Sequence, residues 1–556
     1  MHLDGTRTAE MPAGSPISTS PHSRARNLRQ RWLPSTLAAL GYLLTIGWML
    51  WRTWSIDQLR QLYSIDDPYI HLAIAKNLRL HAFYGVTPFH FSAASSSVVW
   101  PFLLAALMFV FGVQHWLAYA ANVVLSLLLI YFLDRWLLED EQPLWLRALT
   151  VPGVALLVPL ATLTVIGLEH VLQTFAFLGL LFAAKRYWTL PTRGALVQLA
   201  LWAILATSAR YELAFVIASI CAITVLLNIR ELPRMLLVGL SGLIPIASFG
   251  IFSLQHPGAH FFPNSLLLKT HAASHGLSAR VRFATANLHY FATHLLLVPL
   301  LAIAILIVMA IRRSRKFTPG TGLAAAVLST AMLHSIFAAT GQAGRYEAFL
   351  IAGILSALAV LVSELAITPP VSANWRPMAL AFVGAAALIP RAGIVLAYAP
   401  AAIQQIYLQQ YQMAHFFASE LPDSAVAIND IGAVDFYTHS ANFDMVGLAS
   451  TEVMNATLSD AFNAAEMQQM TDTAGVRAVA IYRSWFQGLP AKWVYVGSFT
   501  PKCSGPHFTV GGATIAVYAT NPDDVRTLHE KMAAFAPSLP AGTAVTDHPE
   551  TGYCLQ

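Results

Sequence analysis

The stretch from Trp32 to Trp51, WLPSTLAALGYLLTIGWMLW, holds no charged residue and is as long as a helix needs to cross a hydrocarbon core of about 30 Å. Apolar runs of the same kind recur as far as Pro400 and then stop. The mean hydropathy is +0.57 and only 11% of residues are charged, where soluble domains carry roughly a quarter. The bilayer is therefore the expected solvent, with about 11 to 13 transmembrane helices. Arg24, Arg26, Arg29 and Arg31 precede the first run, and neither a short apolar core nor a small-residue cleavage site accompanies them, so the run reads as an uncleaved anchor behind a disordered cytoplasmic segment, residues 1–31.

The formal charge of +5 does not point to nucleic acid, because the basic residues sit in short clusters beside apolar runs and form no single basic face. Such clusters collect on the cytoplasmic side of a membrane. Lys185, Arg186 and Arg193, then Arg230 and Arg234, then Arg312, Arg313, Arg315 and Lys316 place alternate loops inside. The opposite set of loops then holds Asp66, Asp67, Glu169, Arg210-Tyr211-Glu212, the segment from Gln255 to His294, Arg345-Tyr346-Glu347 and everything after Pro400. Polar groups at membrane depth are costly, so their convergence on the outer face marks an expected site. Three apolar candidates (Val98 to Gly112, Trp116 to Leu133, Ala148 to Val165) must make an even number of crossings, and Pro152 and Pro159 make the third a candidate for a broken or re-entrant segment.

Ser64-Ile65-Asp66-Asp67-Pro68-Tyr69-Ile70-His71 opens a helical pattern with Ile70, Ile74 and Leu78 on one stripe and Lys76, Asn77 and Arg79 elsewhere, predicting a helix along the membrane surface. Asp67 before Pro68 is a helix-start signal, so it doubles as a cap. Asp66 is not needed for that task. Beside a second carboxylate at the lipid interface, one member of the pair is expected to have a raised pKa, and Asp66 is the preferred general base.

The run Asp66-Asp67-Pro68-Tyr69-Ile70, Tyr84-Gly85-Val86 and Ser95-Ser96-Ser97-Val98-Val99-Trp100-Pro101 resembles the first outer loop of bacterial GT-C glycosyltransferases, in the branch with the terminal arabinofuranosyltransferases. Gly167-Leu168-Glu169-His170, Arg210-Tyr211-Glu212, Phe262-Pro263-Asn264-Ser265, Gly344-Arg345-Tyr346-Glu347 and Asn429-Asp430-Ile431-Gly432 continue the resemblance in collinear order. Leu168 stands where that branch has methionine, and Tyr211 where it has proline. The resemblance implies a polytopic α-helical GT-C-like domain over 32–400 with outer loops 54–97 and 255–294, followed by an extracytoplasmic mixed α/β domain over 401–556. It further implies transfer of a sugar from a polyprenyl-phosphate donor to a hydroxyl of an envelope glycan, lipid or protein, at a bacterial inner membrane. The Asp pair falls on Asp66 and Asp67. A transporter or flippase with an outer binding domain is the alternative.

A lipid-phosphate leaving group gains charge as it departs and needs preorganised cations. Candidates are Arg210, Lys269, Arg345 and Arg391, with His271 as a further phosphate contact. Arg210 and Arg345 have a second reading as partners of Glu212 and Glu347, and Glu169 either orients an acceptor hydroxyl or pairs with an arginine. Arg391, inside the last apolar run, needs an anionic partner or snorkels to the interface. His271 and His275 share a helical face, but no carboxylate lies between them and no Cys spacing supports zinc, so no cofactor is expected and a divalent cation stays an unsupported alternative. A Cys503–Cys554 bridge in the tail is open, and Cys221 lies in an apolar run.

Overall fold

The computed structural model describes residues 21–271, 275–367, 375–502, 509–549 and 554–555. Its first helix, Pro21–Asp57, begins upstream of Trp32, so residues 21–31 extend the membrane helix and are not part of a disordered leader. Among the described residues eight helical segments are long and apolar enough to cross a membrane, and Val99–Phe111, Arg193–Ala209 and Tyr211–Leu227 are shorter apolar helices. Between lipid-embedded helices there is little hydrophobic drive, so close packing must supply the cohesion. Ala348–Ala366 has 89% of its apolar window buried and is the central helix, whereas Leu297–Ser314, at 28%, is peripheral. Phe177 and Phe349 meet edge to face at 5.0 Å in this core.

Of the three candidates after Val98, the third is broken at Pro159, as the sequence led one to expect. Leu144–Leu157 runs through Pro152, breaks at Val158 and Pro159, and resumes as Leu160–Ile166; together these form a candidate span. The short member is the first, Val99–Phe111, at 13 residues. A buried Arg147–Asp134 pair at 2.6 Å ties the Leu144–Leu157 helix to Leu117–Glu139, satisfying two charges at once.

Two ends of the bundle have different chemistry. The basic loops meet at one end, where Lys185 pairs with Asp140, Tyr187 hydrogen-bonds Glu231, and Arg313 donates to the Leu365 carbonyl. At the other end lie Ser64 to Asp67, Glu169, Arg210, Lys269 and Arg345.

The change of composition at Pro400 falls inside a continuous helical segment, Arg376–Glu420, which carries the chain from the membrane region into the tail. The tail forms a mixed six-stranded sheet of β1 (Val426–Ile428), β2 (Phe443–Asp444), β3 (Ala478–Ile481), β4 (Val494–Pro501), β5 (Ile515–Ala519) and β6 (Thr543–Thr546), in the order β2-β1-β3-β5-β4-β6. β1 pairs in parallel with β2 and β3, and the remaining pairs are antiparallel. Cys221 is free; the Cys503–Cys554 pairing falls on Cys503, which lies outside the described residues.

The tail meets the first loop through a short helix, Gly432–Tyr437, gripped at both ends. Asp66 receives the Gly432 N–H at 2.6 Å and the Ala433 N–H at 2.9 Å, and the Lys76 ammonium donates to the carbonyls of Asp435, Phe436 and Thr438 at 2.9, 2.7 and 3.0 Å. Carboxyl oxygens accepting at the amino end and a cation donating at the carboxyl end satisfy the free backbone groups of the helix. The Asp67–His81 helix is therefore buried from Pro68 to Asn77 beneath the tail, Lys76 and Asn77 included.

Candidate active site

Asp66 and Asp67 are adjacent, yet their surroundings differ. Asp66 is 6% exposed and has both oxygens engaged by backbone N–H groups of the tail. A Cβ at Gly432 would stand 2.2 Å from the Asp66 carbonyl oxygen and 2.6 Å from its Oδ2, so this contact requires glycine. Asp67 begins the helix without capping it: the cap position is Asp66, which makes no side-chain cap bond, and the Asp67 carboxylate turns to Arg345, with Nη2 to Oδ2 at 2.7 Å. The Asp67 side chain stays 42% exposed.

Their acidities separate accordingly. Burial, and after it the Asp430 carboxylate, raises Asp66 well above the ordinary carboxylate range. Desolvation pushes Asp67 up as well, but Arg345 and Lys269 outweigh it and hold Asp67 below its ordinary value. Burial takes Asp430 up to about 6, although the Gln410 amide donates to its Oδ2 at 2.8 Å. The expected raised member of the pair is thus Asp66, and Asp67 is the ionised one.

Three candidate cations gather around one ring. Arg345, Lys269 and Arg210 lie 5.2, 5.3 and 5.6 Å from the centroid of Tyr346, which is itself buried. Burial works to raise the Tyr346 phenol, yet Lys269, Arg345 and Arg210 pull it below its ordinary value, a measure of the local positive potential. Lys269 also donates to Ser96 Oγ at 3.3 Å.

Arg210 forks onto Glu212, with Nε and Nη2 contacts of 3.0 and 2.7 Å, and reaches Glu169 through Nη1 at 2.6 Å. Arg210 thus pairs with both Glu212 and Glu169, whereas Arg345 pairs with Asp67 and not with Glu347, whose partner is Arg391. Glu169 enters the site on the turn at Gly167, whose φ of +75° and contact with the Tyr63 ring leave no room for a side chain. His71 Nε2 faces the other Glu169 oxygen at 3.8 Å, and burial keeps this imidazole below its ordinary pKa.

Arg391 stands one layer behind. Its Nη2 binds Glu347 at 2.8 Å and the Gly344 carbonyl at 2.6 Å, and Glu347 also accepts from the Tyr290 hydroxyl at 2.6 Å and the Gly341 N–H at 3.1 Å. The required anionic partner is present, and Arg391 does not snorkel. Its bonds stiffen the turn that presents Arg345 and Tyr346. A cavity of about 240 Å³ lies beside this turn, lined by Ser64, Tyr290, Gly344, Arg391, Tyr398 and Thr509. A larger one, about 440 Å³, lies at the other end of the bundle around Asp140, Lys185 and Arg186, away from the carboxylates. His271 faces Asp460 of the tail, with Nε2 to Oδ1 at 3.6 Å.

Sequence reasoning passed over Tyr346 and Lys76. Tyr346 was signalled only by its place between Arg345 and Glu347. Lys76 looked solvated because its partners are carbonyls some 360 residues downstream. Asp430, named in the sequence only as part of the resemblance, sits two residues before the docked helix and raises the pKa of Asp66.

The fold and the site together define a polytopic helical membrane protein whose carboxylate-and-cation cleft is roofed by a mixed-sheet domain. A family model described as a domain of unknown function, DUF8728, matches residues 402–518, within that domain. No curated protein sequence matches the chain. Among solved structures, it is similar to the archaeal oligosaccharyltransferase AglB from Archaeoglobus fulgidus, in complex with an inhibitory peptide and a dolichol-phosphate, at 13% identity, 90% coverage of this chain and 75% of that one, with a TM-score of 0.48. It is also similar to ArnT from Cupriavidus metallidurans bound to undecaprenyl phosphate, at 14% identity, 86% and 98% coverage, and a TM-score of 0.48.

Proposed function

We propose that this chain is a GT-C-type membrane glycosyltransferase that moves a pentosyl or hexosyl group from a polyprenyl phosphate to a hydroxyl of an envelope glycan, lipid or protein. The observation that carries the reading is the meeting of one ionised, partly open carboxylate, Asp67, with three cations around Tyr346 at the ends of membrane helices. In the reaction the acceptor oxygen bonds to the anomeric carbon, the bond from that carbon to the phosphate oxygen breaks, and the hydroxyl proton passes to a carboxylate. Lys269, Arg345 and Arg210 stabilise the charge that grows on the departing phosphate. They are fixed before reaction by Ser96, Asp67 and the Glu169–Glu212 fork, so little reorganisation opposes them.

The reading assigns proton acceptance to Asp67 and a fastening role to Asp66, which moves the base by one residue from the sequence expectation. Support comes from exposure: Asp66 spends both oxygens on the tail, while the Asp67 side chain stays 42% exposed. The basic loops at the far end of the bundle support an orientation with the cleft and tail outside an inner membrane.

The test uses the protein in lipid nanodiscs, a panel of polyprenyl-phosphate sugars and an envelope extract as acceptor, with release of polyprenyl phosphate as the signal. Wild type releases it and Asp67→Asn does not, while Asp66→Asn retains measurable turnover if the tail stays docked. Absence of release from every donor, with labelled lipid or sugar crossing sealed vesicles, overturns the transferase in favour of a transporter.

A further inference from the structure

His271 ends the helix Asn264–His271, and His275 follows within the next turn's length of chain. The sequence offers them no carboxylate nearby. The fold supplies one: Asp460, just past the Thr451–Leu458 helix of the tail, approaches from 185 residues away along the chain, since 460 − 275 = 185. Nε2 of His271 lies 3.6 Å from Asp460 Oδ1, too long for a direct hydrogen bond, and one ligand atom each from His271, His275 and Asp460 all lie within 4.8 Å of one another. The two imidazole centroids are 4.7 Å apart and inclined at 70°, so the rings are not stacked on each other. In a tetrahedral zinc site with bonds of about 2.0–2.1 Å, ligand atoms stand roughly 3.4 Å apart, so side-chain rotation of about an ångström closes the set.

We propose that His271, His275 and Asp460 form a binding site for a divalent transition ion of the zinc class, which staples the Asn264–His271 helix to the tail domain. Two imidazoles and one carboxylate suit zinc and disfavour magnesium or calcium, which take oxygen ligands. Three protein ligands leave the fourth position to water. The interface around it is already built: His260 Nε2 meets Asn455 Oδ1 at 2.7 Å, and Asn264 donates to the Leu448 carbonyl at 3.1 Å. The ion would add a third tie, two residues from Lys269, and so bear on how firmly that cation is held over Tyr346. The site does not depend on the transferase reading.

The test takes full-length protein carrying a tag without histidine, in nanodiscs and stripped with chelator, and titrates zinc against a chromophoric competitor. Wild type binds one saturable equivalent, and His271→Ala, His275→Ala and Asp460→Asn each weaken it at least about tenfold. Because Asp460 is 75% exposed, its variant leaves the metal-free melting temperature unchanged. Hydrogen exchange supplies the second readout: zinc slows exchange over 264–271 in wild type, magnesium does not, and Asp460→Asn abolishes the effect. No saturable zinc in wild type, or equal zinc binding in all three variants, overturns the site.

Discussion

Two arginine–carboxylate pairs flank the same turn and differ in what they leave uncovered. Arg391 and Glu347 are 2% and 1% exposed, and the carboxylate is further closed by a tyrosine hydroxyl and a backbone N–H. Arg345 and Asp67 make the same kind of contact, but the acid keeps 42% of its surface open. A carboxylate closed in by donors on both oxygens is suited to hold a turn in place; one left partly open is suited to take a proton, and the closed pair behind stiffens the turn that carries Arg345.

The largest break in this comparison is expected from Asp67→Asn, which should lower turnover about 10²- to 10⁴-fold with an unchanged melting temperature. Equal loss of folding and activity would make both pairs structural. Next comes Arg391→Met. Removing one partner of a buried pair strands the other charge and costs about 3–5 kcal/mol, read as a loss of thermal stability, which the double change with Glu347→Leu should largely restore. Gly432→Ala tests the docking that buries Asp66. Its methyl cannot fit against Asp66, so a cost of about 1–3 kcal/mol is expected, with faster hydrogen exchange over 432–437.

The smallest effect concerns pH. Asp430 is held up to about 6 against an ordinary value of 3.8, so the folded protein binds its proton more tightly than the unfolded chain does. That contribution is complete below about pH 4 and is lost as pH rises through about 6. Melting temperature should therefore fall across this window, and Asp430→Asn should flatten the fall. A slope that survives in Asp430→Asn would move the effect to Asp66, which shifts in the same direction.

Local pattern made much of this legible. Apolar runs announced the membrane helices, the family resemblance announced a mixed α/β tail, and the polar residues of the outer loops singled out Asp66, Asp67, Glu169, Arg210, Lys269 and Arg345. What it missed shares one cause. On the proposed reading Asp66 and Asp67 exchange their expected duties, because the partners that distinguish them, Gly432 and Arg345, lie hundreds of residues away. Lys76 and the Arg391–Glu347 pair follow the same logic.

By itself, then, the sequence determined the solvent of the protein and the inventory of charged groups available to a site, since periodicity and hydropathy are properties of neighbouring residues. Tertiary structure alone decided which carboxylate is spent and which is open, which cations surround Tyr346, and that Asp460 meets His271. A charge acquires its role from the donors and fields within a few ångströms of it, and those are assembled by packing between segments that the chain order keeps far apart.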